Sequence, residues 1–291
     1  MGKIGVIGGS GLYNIEGIKN IKEVSLTTPF GRPSGKLITG RLEGREVVFL
    51  PRHGKGHFIP PNRINYRANI FAMKKLGVER IISISACGSL KEELPPMDFV
   101  VADQFVDRTN SGRQMSFFAE EGLVAHIEFA HPVCAQLSGI LYAAGKSLSL
   151  GIHPKGTYIN MEGPAFSTLA ESSLYRQWGI DIIGMTNFCE AKLAREAEIC
   201  YATLAAVTDY DCWHPQHASV TIEMIISNLQ KNIENSKRIL LAAIKQMPRE
   251  RDSCRCASAL QYAIITDRKL VPQKLKKDLQ PIIGKYISSR S

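Results

Sequence analysis

Short apolar runs and amphipathic stretches alternate along this 291-residue chain, and the alternation reads as strand, turn, helix, strand. Residues 2–7 form a strand pattern that ends in a glycine-rich turn, and Glu46 to Leu50 form another. Asn65 to Leu76 places Tyr66, Ile70, Met73 and Leu76 on one helical stripe, with Gly77 as a stop signal. Strand patterns follow at Arg80–Ser85, Phe99–Phe105, Lys155–Met161, Asp181–Met185 and Ile199–Val207. Helical patterns fall at Cys134–Leu148, at Thr168–Trp178 before Gly179, and at Glu190–Glu198. Residues 107–122 are polar and glycine-containing and read as a mobile loop. The clearest helix runs from about Thr221 to Met247, with Ile222, Ile225, Ile226, Leu229, Ile233 and Leu240 on one face. Thr221 can cap it. The order predicts a single α/β domain over residues 1–250, a sheet flanked by helices, with residues 251–291 as a partly helical segment packed on it.

Composition narrows the classes. The chain is 44% hydrophobic and 22% charged, so a large core is expected and disorder is not. No apolar run is long enough to span a bilayer. The first residues carry no basic leader, which predicts a cytoplasmic location. A net charge of +9 favours anionic partners, but the basic residues are scattered and match no nucleic-acid-binding module. The seven cysteines have irregular spacing and no paired CxxC elements, which argues against zinc. Cys254-Arg255-Cys256 stands apart as a CxC in a polar stretch.

Three segments carry candidate chemistry. Gly8-Gly9-Ser10-Gly11 lacks the third glycine of a dinucleotide fingerprint, since Asn14 stands there, but its backbone N–H groups and the Ser10 hydroxyl suit an anion. Pro51 to His57 carries Arg52, His53 and His57 with glycines between, a composition that favours a ligand loop. Thr208-Asp209-Tyr210-Asp211 puts two carboxylates at the carboxyl end of an apolar strand, where open α/β sheets bind ligands.

Taken in order, these segments resemble the 5′-methylthioadenosine phosphorylases, of the trimeric branch of the purine nucleoside phosphorylases. The resemblance also rests on Thr28-Pro29-Phe30-Gly31, Asn65-Tyr66-Arg67-Ala68-Asn69, Ala86-Cys87-Gly88-Ser89-Leu90, Asp103 to Thr109, Glu162-Gly163-Pro164 and Cys212-Trp213. It covers residues 3 to about 248. It implies the nucleoside phosphorylase fold, a twisted mixed sheet flanked by helices. It also implies attack of inorganic phosphate on C1′ of the nucleoside, giving adenine and 5-methylthioribose 1-phosphate, in purine and methionine salvage. No metal or organic cofactor is implied, and phosphate is a co-substrate.

Carried over by resemblance, Ser10, Arg52, His53, Ser85, Ala86 and Thr186 would bind phosphate. Arg52 offers paired donors that lysine cannot copy. Met185 would contact the ribose through its backbone N–H, and Phe166 would cover the base. Asp209 would face N7 as the catalytic acid, and Asp211 would accept from the exocyclic amine, favouring 6-amino purines. Asn187 either touches the base or holds its loop. Val220 and Ile222 would wall the methylthio group, closed by His126 of a neighbouring subunit in a trimer or a dimer of trimers. The resemblance further pairs Cys134 with Cys200 and Cys254 with Cys256 as disulfides, in keeping with heat-loving members. Cys87, Cys189 and Cys212 would stay reduced. The alternative is that all seven are thiols and the CxC is incidental.

Overall fold

The computed structural model describes residues 2–9, 17–110, 112–214, 222–251 and 254–288, and for residues 222–226 the backbone alone. Strand β1 (Lys3–Gly8) pairs in parallel with β4 (Arg45–Pro51) on one side and β5 (Val78–Ser89) on the other. The hairpin β2 (Lys19–Val24) and β3 (Leu37–Leu42) extends the β4 edge antiparallel. Neither hairpin strand was read from the sequence; β2 is polar and almost wholly exposed, whereas β3 buries Leu37 and Leu42.

β5 is the branch point of the sheet. Along one edge it pairs in parallel with β11 (Cys200–Asp209) as far as Gly88; along the other, β1 pairs with it to Ser83 and β10 (Ile182–Gly184) then pairs antiparallel with Gly88 and Ser89. From β10 the sheet continues through β9 (Thr157–Met161) to β7 (Gln104–Arg108). From β11 it continues through β6 (Phe99–Val100) to β8 (Ile152–His153). The single strand expected over Phe99–Phe105 is thus two, because the chain leaves one arm of the branch and joins the other. Asp103 makes the crossing: its carboxylate accepts from Gly156 N at 3.0 Å.

Strand alternation feeds two cores. Val48, Leu50 and Ile7 face α1 (Tyr66–Lys75) and α4 (Asn187–Glu196). Val47, Phe49, Ile4 and Val6 face α2 (Ala135–Ser147) and α5 (Ile222–Gln246). Asn65 caps α1 by accepting from Ala68 N at 3.0 Å. Thr168 and Glu171 form a capping box on α3 (Leu169–Gln177). Arg45 donates to the carbonyls of Met247 and Pro248, closing the end of α5. Among the described residues no helix is long and apolar enough to cross a membrane.

Two expectations change. The polar segment after β7 is not a free loop: Arg113, Phe117 and Phe118 are buried, and Phe117 N donates to Glu196 at 2.7 Å. Polar composition hid these anchors. The cysteines are all free thiols, so neither Cys134–Cys200 nor Cys254–Cys256 is bonded. The four sulfurs instead gather in one cluster within 4.8 Å of one another, with Cys200 and Cys254 Sγ 3.3 Å apart. That separation is well beyond the about 2.05 Å of a disulfide.

The last residues belong to the first core. Leu260, Ile282, Ile283 and Ile287 are buried with α1 and α4, through α6 (Gln273–Asp278) and α7 (Gln280–Ile283). Leu260 is fully buried and its backbone N–H is already held by Glu198. Leu260→Ala should therefore keep the local backbone yet cost about 2–5 kcal/mol. Denaturant unfolding should show this loss.

Candidate active site

The carboxyl ends of β1, β4, β5, β10 and β11 converge on a cavity of about 420 Å³. Its lining includes Arg52, His53, Ser85, Ala86, Met185, Thr186, Phe166, Asp209 and Asp211, so nine of the residues expected at the site come together. Ser10, Val220 and the side chain of Ile222 lie outside the described residues. His126 is described but is exposed and does not line the cavity, its backbone N–H bonded to Ala263 O at 2.8 Å.

Beneath the cavity lies a buried polar network. Arg52 Nε donates to Glu190 Oε1 at 2.5 Å, and its Nη2 donates to Glu190 Oε2 and Ser83 Oγ. Nη1 donates to Ile84 O at 3.0 Å. The fork that sequence reasoning aimed at an anion thus grips a carboxylate, and among the described residues only one of its five N–H groups, at Nη1, is uncommitted. Burial works to lower the guanidinium's pKa, but Glu190 beside it outweighs this and holds it above the ordinary arginine value. Ser83 and Tyr201 also donate to Glu190, at 2.7 and 3.1 Å. Asn187 settles into the same network, donating to Thr203 Oγ1, Ser83 Oγ and Tyr201 OH. It holds the loop and does not line the cavity.

Above this floor the groups suit an oxyanion. Ser85 Oγ is buried without a hydrogen-bond partner among the described residues, and Ser85 lines the cavity. Thr186 stands at the start of α4, whose N-terminal dipole favours negative charge. His53 Nδ1 lies 2.8 Å from Ile59 O and therefore carries the ring proton, and the ring stacks on His57 at 4.1 Å. Burial and then Arg52 push His53 down to about 4, so the imidazole is neutral at pH 7.

The carboxylate pair closes the far wall. Asp209 ends β11, where its Oδ2 accepts from Thr208 Oγ1 at 2.6 Å and its Oδ1 accepts from Asp211 N at 2.8 Å. Burial raises both carboxyl pKa values, and for Asp209 the neighbouring Asp211 adds to the rise. Gly88 makes room for them: a Cβ there would meet Asp209 Oδ1 at 3.0 Å and Asp211 Cβ at 3.4 Å. Trp213 pins the turn through its Nε1 donation to Ser89 O at 2.7 Å. Phe166 sits at the mouth, about two-thirds exposed (64%).

Several site residues were missed in the sequence. Glu190 was hidden because its helix looked like ordinary amphipathic surface. Arg113 joins two walls, donating to Met185 O at 2.7 Å and to Met161 O and Glu162 O. The apolar wall described here is Leu229 and Ile233 of α5, together with Asn232. Asn228 and Asn232 donate to Thr208 O and Val207 O, each at 2.8 Å, fastening α5 to the end of β11. An amphipathic stripe shows that a helix has an apolar face, but not that half of it faces a cavity.

Comparison with known proteins bears on this geometry. A sequence profile of the phosphorylase superfamily matches residues 3–245. The S-methyl-5′-thioadenosine phosphorylase of Geobacter sulfurreducens is 56% identical, covering 98% of this chain and 99% of its own. That of Koribacter versatilis is 53% identical, over 99% and 98%. Among solved structures, a methylthioadenosine phosphorylase from an antarctic soil metagenomic library superposes with a TM-score of 0.91 at 44% identity, covering 97% of this chain and 98% of that one. The Schistosoma mansoni methylthioadenosine phosphorylase in complex with tubercidin gives 0.80 at 36%, covering 90% and 96%.

Removing one partner of the buried pair should be costly. Glu190→Ala strands the Arg52 charge and should lose about 3–5 kcal/mol, much of it regained in Arg52→Met/Glu190→Leu. Unfolding of the three proteins checks this. His53 adds a pH term of definite sign. Its folded pKa lies below the ordinary value of 6.5, so its contribution is present above pH 6.5 and is lost as pH falls through about 4. His53→Asn should remove that part of the acid-side loss, and NMR titration should show the ring neutral down to about pH 4.

Proposed function

This chain belongs to the phosphorylase superfamily, and we propose that it cleaves 5′-methylthioadenosine with inorganic phosphate, giving adenine and 5-methylthioribose 1-phosphate. The observation that carries the reading is one cavity holding a buried hydroxyl, Ser85, without a partner among the described residues, beside the half-buried Asp209 and the buried Asp211. Names of relatives over nearly the full chain agree with it.

In this mechanism phosphate sits against Ser85, the Ala86 backbone, Thr186, His53 and the remaining Arg52 donor, with Ser10 completing the shell. A phosphate oxygen attacks C1′ as the bond from C1′ to N9 breaks. Positive charge grows on the ribose ring and faces the phosphate anion. Negative charge grows on the purine, where Asp209, its pKa raised by burial, supplies a proton or a shared hydrogen bond at N7. Asp211 accepts from the 6-amino group. Met185 N–H meets a ribose hydroxyl, and Phe166 covers the base at the cavity mouth. Leu229 and Ile233 give the methylthio group an apolar wall. Donors placed in advance where charge develops supply most of the acceleration.

The reading includes self-association into a trimer or a dimer of trimers, in which His126 closes a neighbour's site. Support comes from the surface around it: His126 is exposed, and Val124, Tyr262 and Ile265 on the same adjoining segments are exposed apolar residues.

Steady-state kinetics test the chemistry. kcat/KM should favour methylthioadenosine over methylthioinosine by roughly 10⁴, because the 6-oxo group would leave Asp211 without a donor. Parity between the two overturns the base assignment. Adenine release without phosphate would make the chain a nucleosidase. Asp209→Asn should bind substrate yet turn over about 10²- to 10⁴-fold more slowly. Light scattering tests the assembly, since a fully active monomer excludes a shared site. His126→Ala should raise KM for methylthioadenosine more than for adenosine.

A further inference from the structure

The four-cysteine cluster lies outside all of this chemistry. Cys134 is the N-cap of α2, Cys200 begins β11, and Cys254 and Cys256 flank the start of a short helical turn at Arg255–Ser258. Cys200 and Asp209 occupy opposite ends of β11, which places the cluster on the order of 30 Å from the acid of the cavity. Cys134, Cys200 and Cys256 are buried, and Cys254 is half-buried.

The arrangement has the dimensions of a metal centre. Every pair of sulfurs lies within 4.8 Å. A tetrahedral zinc with bonds of about 2.3 Å to sulfur requires edges of about 3.8 Å. Cys200 and Cys254, at 3.3 Å, need only a few tenths of an ångström of adjustment. The backbone is already set: Cys134 N donates to Tyr201 O at 2.8 Å, which fixes the start of α2 against β11. The donor set contains no carboxylate and no imidazole, and thiolate sulfur selects soft or borderline-soft ions.

We propose that Cys134, Cys200, Cys254 and Cys256 form a structural zinc site that clamps the C-terminal segment to the phosphorylase domain. Binding displaces the four thiol protons to solvent and leaves a tetrathiolate complex of net charge −2. Two features offset that charge. The N-terminal dipole of α2 points at Cys134. Arg195 stands close enough to act on Cys256 and is itself held by the carbonyls of Glu128 and His131. The spacing does not look like zinc in the sequence because the ligands come from three separate elements. The CxC supplies two of them, and α2 and β11 supply one each. With four protein ligands the site is closed, so its role is to hold structure and not to catalyse.

The test uses the full-length protein, purified under reducing conditions without chelator. Metal analysis should find about one zinc per chain. Anaerobic removal of the metal followed by Co²⁺ should give the intense sulfur-to-cobalt charge-transfer and visible bands of a tetrahedral thiolate site, bleached on adding Zn²⁺. Metal removal should lower the thermal midpoint and leave kcat/KM unchanged below it. Cys254→Ser/Cys256→Ser should lose the zinc and the cobalt spectrum together. Should that variant not fold, the metal count and cobalt titration of the unaltered chain still decide. Seven titratable thiols with no zinc or cobalt uptake overturn the proposal. So does protein in which four thiols are missing as disulfides and reduction restores them without metal binding.

Discussion

The grip of Glu190 on Arg52 is the constraint on which the site is built. A guanidinium this deep in a protein is affordable only with a carboxylate against it, and here the pairing is bidentate. The consequences spread outward. Glu190 must come from the first turn of α4, so α4 must start where β10 ends, and its start carries Met185 and Thr186 into the cavity. Ser83, Tyr201 and Asn187 fill the remaining valences, which ties β5 and β11 to the same helix. The cation then presents a field to the cavity while most of its hydrogen bonds face away. Its attraction for an anion is electrostatic more than bidentate.

The second constraint is the branching of β5. One edge of β5 stays paired with β11 as far as Gly88, whereas on the other edge β1 pairs with it only to Ser83 and β10 only from Gly88; the cavity opens along the stretch between, with Ser85, Ala86 and Cys87 in its lining. Gly88, flanked by β10 on one edge and β11 on the other, lacks the Cβ that would crowd Asp209 and Ile183. Arg113 spans the walls on one side. Crevices at the carboxyl ends of strands are the expected binding place in α/β sheets. In this chain the crevice is widened by a strand that serves two partners.

Much of this was legible in the sequence, for physical reasons that differ by element. β1, β4, β5, β9 and β11 announced themselves because buried strands are rich in apolar residues. The carboxylate pair could be placed because it follows the most apolar of them. Arg52 lines the cavity, but its main partner was not foreseen, since an ion pair 138 residues apart leaves no local pattern. The β2–β3 hairpin was missed because an exposed edge needs no apolar code. Residues 107–122 were read as mobile because three buried anchors are diluted among polar neighbours. The cysteines show the same limit: the resemblance implied two pairs, whereas the fold gathers four.

The asparagines of α5 have a consequence for recognition. Leu229 and Ile233 wall the cavity, while Asn228 and Asn232, on the same turns, hold the carbonyls of Thr208 and Val207. Those two peptides lead directly into Asp209. Pressure on the apolar wall is therefore transmitted through two short hydrogen bonds to the strand end that carries the acid. The far end of the helix is clamped by Arg45 and by Leu240 and Ala243 in the core, so it acts as a beam with one fixed support. One helix thus supports both the apolar wall and the backbone that leads into Asp209, so the spacing between the two is set by a single rigid element.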